Sequence, residues 1–310
     1  MKTRILCCTD LLPKSESALD RAGMLAEELQ AELSLLHVVA PAESHRFLEQ
    51  DLADARWHLR ARARPPQWRF GPAPNVFVRT GARTSVLLEV AKELEPALIV
   101  LGTPFRRPAR DALSGTLVAR LLSSLACPVL IVRRMPWEPY RDVVLALDGT
   151  DASIPVLRAA EALVVNPATR GTVVHAYEHV YDGMLTSAGV SAEAIGTYAQ
   201  TWKSEAGANV SDLLSRGSED PSRYRVLLEN APAITAIHNA VAERTPGLAV
   251  LGTRGHGRLR RAFLGSVANS VLYGTDCDVL IVPHRTRLAG LPSKPANDGR
   301  AAGDAAAAMR

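Results

Sequence analysis

The chain has 310 residues, 47% hydrophobic and 22% charged, with a net charge of +4. That length predicts two domains of roughly 140 residues, each able to bury its own core. Aromatic residues make up only 5%, too few for a single-stranded nucleic-acid stacking platform, and the cations are scattered arginines rather than a basic helix, so no nucleic-acid partner is expected.

The first apolar run, Ile5 to Cys8, ends at Thr9-Asp10. It is too short for a secretion signal, and no run in the chain is long enough to span a membrane. Cysteines occur at 7, 8, 127 and 277. None makes a CxxC pair, so neither a zinc site nor a redox pair is expected; buried, inert thiols in a reducing cytoplasm are.

Ile5 to Cys8 predicts a strand with Asp10 at its carboxyl end. After Ser15, Leu19, Ala22, Ala26 and Leu29 share one helical face. Leu33 to Val39 is almost continuously apolar, as a parallel strand covered on both faces must be. Residues 43–64 are polar and Arg-rich and predict a surface helix. A strand follows at Val76 to Val78, a helix at Ser85 to Leu94 and a strand at Ala97 to Leu101. A last helix at Leu117 to Leu125 leads into a strand at Val129 to Val132. Residues 133–140 hold two prolines and predict a linker.

The chain then repeats itself. Leu98-Ile-Val-Leu-Gly-Thr103 returns as Leu248-Ala-Val-Leu-Gly-Thr253. Cys127-Pro-Val-Leu-Ile-Val132 returns as Cys277-Asp-Val-Leu-Ile-Val282. Asp10, Ser15, Leu19, Ala22 and His37 have counterparts in Asp148, Ser153, Leu157, Ala160 and His175. The second copy is longer between its second strand (Val173 to Ala176) and its third (Arg225 to Leu228). The segment 177–196 carries three glycines and is expected either as a flap or as a surface loop leading into a helix. The predicted domains are 1–135 and 140–287, with a disordered tail over 288–310.

Strands alternating with helices imply an α/β fold with a parallel sheet covered on both faces. Such sheets bind ligands at the carboxyl ends of their strands. Asp148 and Gly252 fall at predicted strand ends of the second copy, and Asp10 and Gly102 at those of the first. From Gly252 the second copy has the spacing Gly, two residues, Gly255, nine residues, Gly265-Ser266. Gly255 and Gly257 permit positive φ, so N–H groups can converge on an anion. Gly265-Ser266 opens a helix whose N-terminus suits phosphate, with the Ser266 hydroxyl as cap or donor. Asp148 is expected to meet a ribose hydroxyl or a metal–phosphate group, with an Asx-type cap of its own turn as the alternative. His37 and His175 are expected to hydrogen-bond backbone. No paired metal spacing is present.

These residues together resemble the universal stress protein family in its tandem two-domain form, over residues 2 to 284. The resemblance implies two Rossmann-like five-strand parallel sheets of order 3-2-1-4-5. It also implies bound ATP or ADP, with or without Mg. Asp148 would face the ribose or phosphate side and Ala176 would offer backbone to adenine. Gly252, Gly255, Gly265 and Ser266 would hold the phosphates, and His256, Gly257 and Val267 complete the candidate set. The matching first-copy positions are Asp10, Val38, Gly102, Phe105, Gly115 and Thr116. Phe105 replaces the second glycine and would crowd the phosphates, so that site is degenerate. The closing strands would be sheet edges that the two copies cover for each other, and a homodimer of chains is expected.

No base, nucleophile or lysine for phosphoryl transfer is evident in the loop. The expected function is therefore regulatory: a nucleotide held in the second domain, acting as a conformational or partner-binding signal. A slow ATPase or nucleotidyl transferase is the alternative, and a scaffold with vestigial sites is a third reading.

Overall fold

The computed structural model describes residues 3–41, 45–103, 117–136, 138–163, 169–177, 190–253 and 264–286. The first unit runs β1 (Arg4–Thr9), α1 (Glu16–Glu28), β2 (Glu32–Val39), α2 (His45–Arg62), β3 (Asn75–Thr80), α3 (Arg83–Leu94), β4 (Leu98–Gly102), α4 (Leu117–Ser124) and β5 (Val129–Val132). The second runs β6 (Asp142–Ala146), α5 (Ile154–Leu163), β7 (Arg170–Tyr177), α6 (Ala192–Gly217), β8 (Tyr224–Asn230), α7 (Ala233–Arg244), β9 (Leu248–Gly252), α8 (Ser266–Gly274) and β10 (Asp278–Val282).

Successive strand side chains point to opposite faces, and here both faces are apolar. Ile5, Cys7, Leu98, Val100, Leu280 and Val282 pack with α1, α2, α5 and α6. Leu6, Ile99, Leu101, Val279 and Ile281 pack with α3, α4, α7 and α8. This two-sided burial is why the strands lack polar alternation. The α1 stripe of Leu19, Ala22, Ala26 and Leu29 is buried as its spacing predicts. Helix α2 lies on the surface but is anchored through buried Ala55 and Leu59.

Helices α3 and α7 end alike. Glu95 and Thr245 each take φ 45°, a left-handed cap without glycine, and Pro96 and Pro246 follow. Proline cannot continue the helix, so the chain turns into the next strand.

Among the described residues the strands form one ten-stranded sheet of order β3-β2-β1-β4-β5-β10-β9-β6-β7-β8. Each half has the order 3-2-1-4-5. All pairings are parallel except β5 with β10, where Val129, Leu130 and Ile131 oppose Ile281, Leu280 and Val279. The closing strand of each half covers the other's edge, about a local two-fold through Leu130 and Leu280. Several strands exceed the apolar runs that mark them. β3, β7 and β8 take in flanking polar residues because backbone pairing continues past the buried stretch. His37 and His175 lie within β2 and β7, near their carboxyl ends.

A buried polar knot fastens the seam. Asp278 is 1% exposed. It accepts the Tyr140 hydroxyl at 2.7 Å and the backbone N–H of Arg133 at 2.8 Å. Arg21 of α1 places Nε 3.4 Å from Asp278 Oδ2 and its guanidinium 4.0 Å from the Tyr140 ring centroid. Arg21 also donates to the Glu138 carbonyl at 3.0 Å. One carboxylate of the second unit thus ties down the linker and a helix of the first.

Candidate functional site

β6 ends at Ala146, and Asp148 begins the turn beyond it. Its Oδ1 accepts the Thr150 N–H at 3.0 Å, the Thr150 hydroxyl at 2.7 Å and the Ser153 hydroxyl at 2.7 Å. Its own N–H donates to Ser153 Oγ at 3.0 Å. The Asx-type cap is therefore formed, and it fixes the carboxylate at the carboxyl end of β6. Thr150 was not named from sequence and Ser153 only as a repeat position, although Asp148-Gly-Thr-Asp-Ala-Ser153 carries the turn signal. Gly149 takes φ +74°, and a Cβ there would lie 3.1 Å from His175 Cε1.

His175 Nδ1 is 2.9 Å from the Leu147 carbonyl oxygen, and His37 Nδ1 is 2.9 Å from that of Thr9. A carbonyl only accepts, so Nδ1 carries the proton in both rings. Both histidines bond backbone, as expected, and each ties the exit of a first strand to the second strand beside it.

β9 ends at Gly252. The Thr253 N–H donates to the Val282 carbonyl at 3.1 Å, and the Gly265 N–H donates to the Thr253 carbonyl at 3.3 Å. These bonds pin the start of α8 to the ends of β9 and β10. Gly265 is the N-cap, and among the described residues no side chain caps the helix. Ser266 is thus the first helical residue and not a cap. Its hydroxyl is exposed, and the Ser266 and Val267 N–H groups have no acceptor within the helix. Buried Ala268, Val271 and Leu272 anchor the helix behind them. Gly265 has a packing role of its own, since a Cβ there would come 3.1 Å from the Thr253 carbonyl.

The register brings these parts together. Ala146 is aligned with Leu251 on one side and Val174 on the other, so Asp148, Ala176, Gly252 and the α8 start all lie at the same end of the sheet. Gly255, His256 and Gly257 lie outside the described residues, as do Phe105, Gly115 and Thr116 of the first unit and 178–189 of the expected flap.

The first unit has the same frame with different charge. Asp10 Oδ1 accepts the Leu12 N–H at 3.1 Å, and its Oδ2 is 3.6 Å from Lys14 Nζ. Val38 lies in β2 beside β3. A Cβ on Gly102 would find its nearest neighbour, Ser15 Cα, at 3.6 Å, so packing with the described residues does not require glycine there.

Cys7, Cys127 and Cys277 are buried, and Cys8, near the carboxyl end of β1, is half-buried. Burial pushes Cys7 and Cys277 up and Cys127 to about 12. Among the described residues no group of three His, Cys, Asp or Glu is placed to hold a metal ion, and no helix is long and apolar enough to cross a membrane.

A family model described as the universal stress protein family matches residues 1–133 and again 139–283. A universal stress protein of Mycobacterium tuberculosis is 26% identical over 206 residues, covering 63% of this chain and 64% of the relative. The matched region thus spans slightly less than two thirds of that relative. A universal stress protein of Thermus aquaticus is 30% identical over 143 residues, 46% of this chain and 98% of the relative. The crystal structure of a functionally unknown protein from Pseudomonas aeruginosa PAO1 superposes with a TM-score of 0.60 at 18% identity, covering 94% of this chain and 95% of the other.

Proposed function

This chain belongs to the universal stress protein family in both of its halves, and from that premise we propose that it is a regulatory protein that binds ATP or ADP, with or without Mg, mainly in its second unit. The observation that carries the proposal is the gathering of Asp148, Ala176, Gly252 and the α8 N-terminus at the carboxyl ends of β6, β7 and β9. A helix start with unpaired N–H groups favours phosphate, and a fixed carboxylate across the same strand ends favours ribose hydroxyls or a phosphate-bound cation. In sequence, residues 254–263 join β9 to α8 and include Gly255, His256 and Gly257.

The site is proposed as a switch rather than a catalyst. Its donors would bind the ground state and transition state of phosphate alike, which does not accelerate chemistry. Nucleotide occupancy would act as a conformational or partner-binding signal. A homodimer of chains would use surfaces other than β5 and β10, because each already covers the other. We place the protein in a reducing cytoplasm, where its free thiols would persist.

Ser266→Pro tests the site. Proline is well accepted at the first helical position and needs no N–H there. Gly265 already has φ −59° and ψ 158°, a conformation that suits a following proline. The variant should fold normally yet lose one N–H and one hydroxyl donor. Calorimetric titration with ADP should show binding weakened about tenfold. Unchanged affinity would remove the α8 terminus from the site.

A further inference from the structure

The opposite end of the second unit carries a different site. A cleft of about 690 Å³ opens at the amino ends of β6, β7 and β8. Four arginines line it (Arg170, Arg223, Arg225 and Arg244) against one carboxylate, Asp142. Thr172 and Ser222 add hydroxyls. Arg223 is partly committed, donating to the Thr169 carbonyl at 3.2 Å. Among the described residues Arg170, Arg225 and Arg244 make no side-chain hydrogen bond or ion pair.

The first unit shows what this place looks like when it is neutralised. There Arg4 is aligned with Glu32 and Ser34 with Asn75. Arg4 Nε lies 3.9 Å from Glu32, Arg4 donates to the Leu94 carbonyl at 2.9 Å, and Asn75 donates to Glu32 at 2.6 Å. The second unit keeps the register and changes the charges. Asp142 is aligned with Arg170 and Thr172 with Arg225, and Arg244 ends α7 where Leu94 ends α3. The closing Glu has become Arg, the bridging Arg has become Asp, and the Asn has become Arg. Like charges gathered in a concavity oppose folding unless an anion offsets them.

We propose that this cleft binds a small polyanion, a molecule carrying two or more phosphate or carboxylate groups. Its volume is that of a small-molecule site, and a concave pocket suits a compact ligand better than the flat face an acidic protein needs. Guanidinium forks pair bidentately with both anion types, and Thr172 supplies a neutral donor, while the Ser222 hydroxyl is donated to Asp220 at 2.6 Å. The floor is firm. Tyr224 packs against Gly171 and donates to Glu161 at 3.2 Å, and Glu161 also accepts the Ser218 hydroxyl. Because the cleft is at the other end of the strands from Asp148 and Ser266, polyanion and nucleotide can be held together.

The test is calorimetric titration of the full chain with pyrophosphate and, separately, citrate at fixed ionic strength. At least one probe should bind with a dissociation constant below about 10 mM. Tighter pyrophosphate binding would identify a phosphate-bearing ligand, and tighter citrate binding a carboxylate-bearing one. Arg170→Glu and Arg225→Asn are exposed changes toward the first unit's pattern, and each should weaken binding about tenfold. Arg56→Gln, the same charge loss as Arg225→Asn placed on α2 of the other unit, should leave it unchanged. Failure of both probes, or equal affinity in the Arg170 and Arg225 variants, would overturn the proposal without touching the nucleotide reading.

Discussion

The ring of His175 occupies the space that a side chain on Gly149 would need: its Cε1 stands 3.1 Å from the position of a Cβ there, while its Nδ1 holds the Leu147 carbonyl at 2.9 Å. The turn that presents Asp148 is thus clamped from two sides. Gly149→Ala meets both a left-handed backbone, φ +74°, and this ring. A loss of about 1–3 kcal/mol in urea unfolding is expected, together with weaker ADP binding, since Asp148 would shift. A variant as stable as wild type would show that the ring yields freely.

Asp148→Asn separates the structural task of this residue from its proposed ligand task. The amide oxygen can still accept from Thr150 and Ser153, so stability should change by less than about 1 kcal/mol. The lost charge should weaken ADP with Mg about tenfold if the carboxylate faces a ribose hydroxyl or cation. Asp148→Ala should lose both. Thermal melts paired with titrations read the two effects apart. Full nucleotide affinity in the Asn variant would leave Asp148 as a turn residue only.

Asp278→Ala leaves Arg21, whose side chain is 8% exposed, without its counter-charge, and strips the Tyr140 hydroxyl and the Arg133 N–H of their acceptor. Breaking a buried pair in this way costs about 3–5 kcal/mol. Denaturant unfolding should show that loss, and because the knot spans the seam, the two units should unfold less cooperatively. A change under about 1 kcal/mol would mean that β5 and β10 alone hold the halves together.

Burial raises the thiols of Cys7, Cys127 and Cys277, Cys127 to about 12. The thiolate is the reactive form, so at pH 8 these three should resist a disulfide reagent in the folded chain and react at once in denaturant. Raising the pH toward 9 should hardly speed the folded reaction. Rapid labelling of any of these three in the native protein near neutrality would contradict this burial.

The repeat and the buried strands make the sheet legible in the sequence. Continuous apolar runs demand a two-faced parallel sheet, and the paired Val-Leu-Ile-Val strands mark matching edges. The histidine bonds were legible too, because a His near a strand's end has backbone within reach. Asp278 was not. In sequence it is one polar residue before a strand, and only the meeting of β10, α1 and the linker makes it a hub. The arginine cleft was hidden for the same reason: Arg170, Arg225 and Arg244 are scattered in the chain, and strand register gathers them. Ser266 was legible as a helix start; of the two roles offered for its hydroxyl, the cap falls away because Gly265 is the N-cap.

The asymmetry between the two units bears most directly on function. In the first, Lys14 lies 3.6 Å from Asp10 and the loop carries Phe105 and Pro108. In the second, the position matching Lys14 is Ala152 and the loop carries Gly255 and Gly257. Calorimetric titration of the nucleotide-free chain with ADP and Mg counts the sites outright. One ADP per chain, lost or weakened in Ser266→Pro, is the predicted result. Two equivalent sites per chain, or no binding at millimolar ADP, would contradict a nucleotide switch held in the second unit.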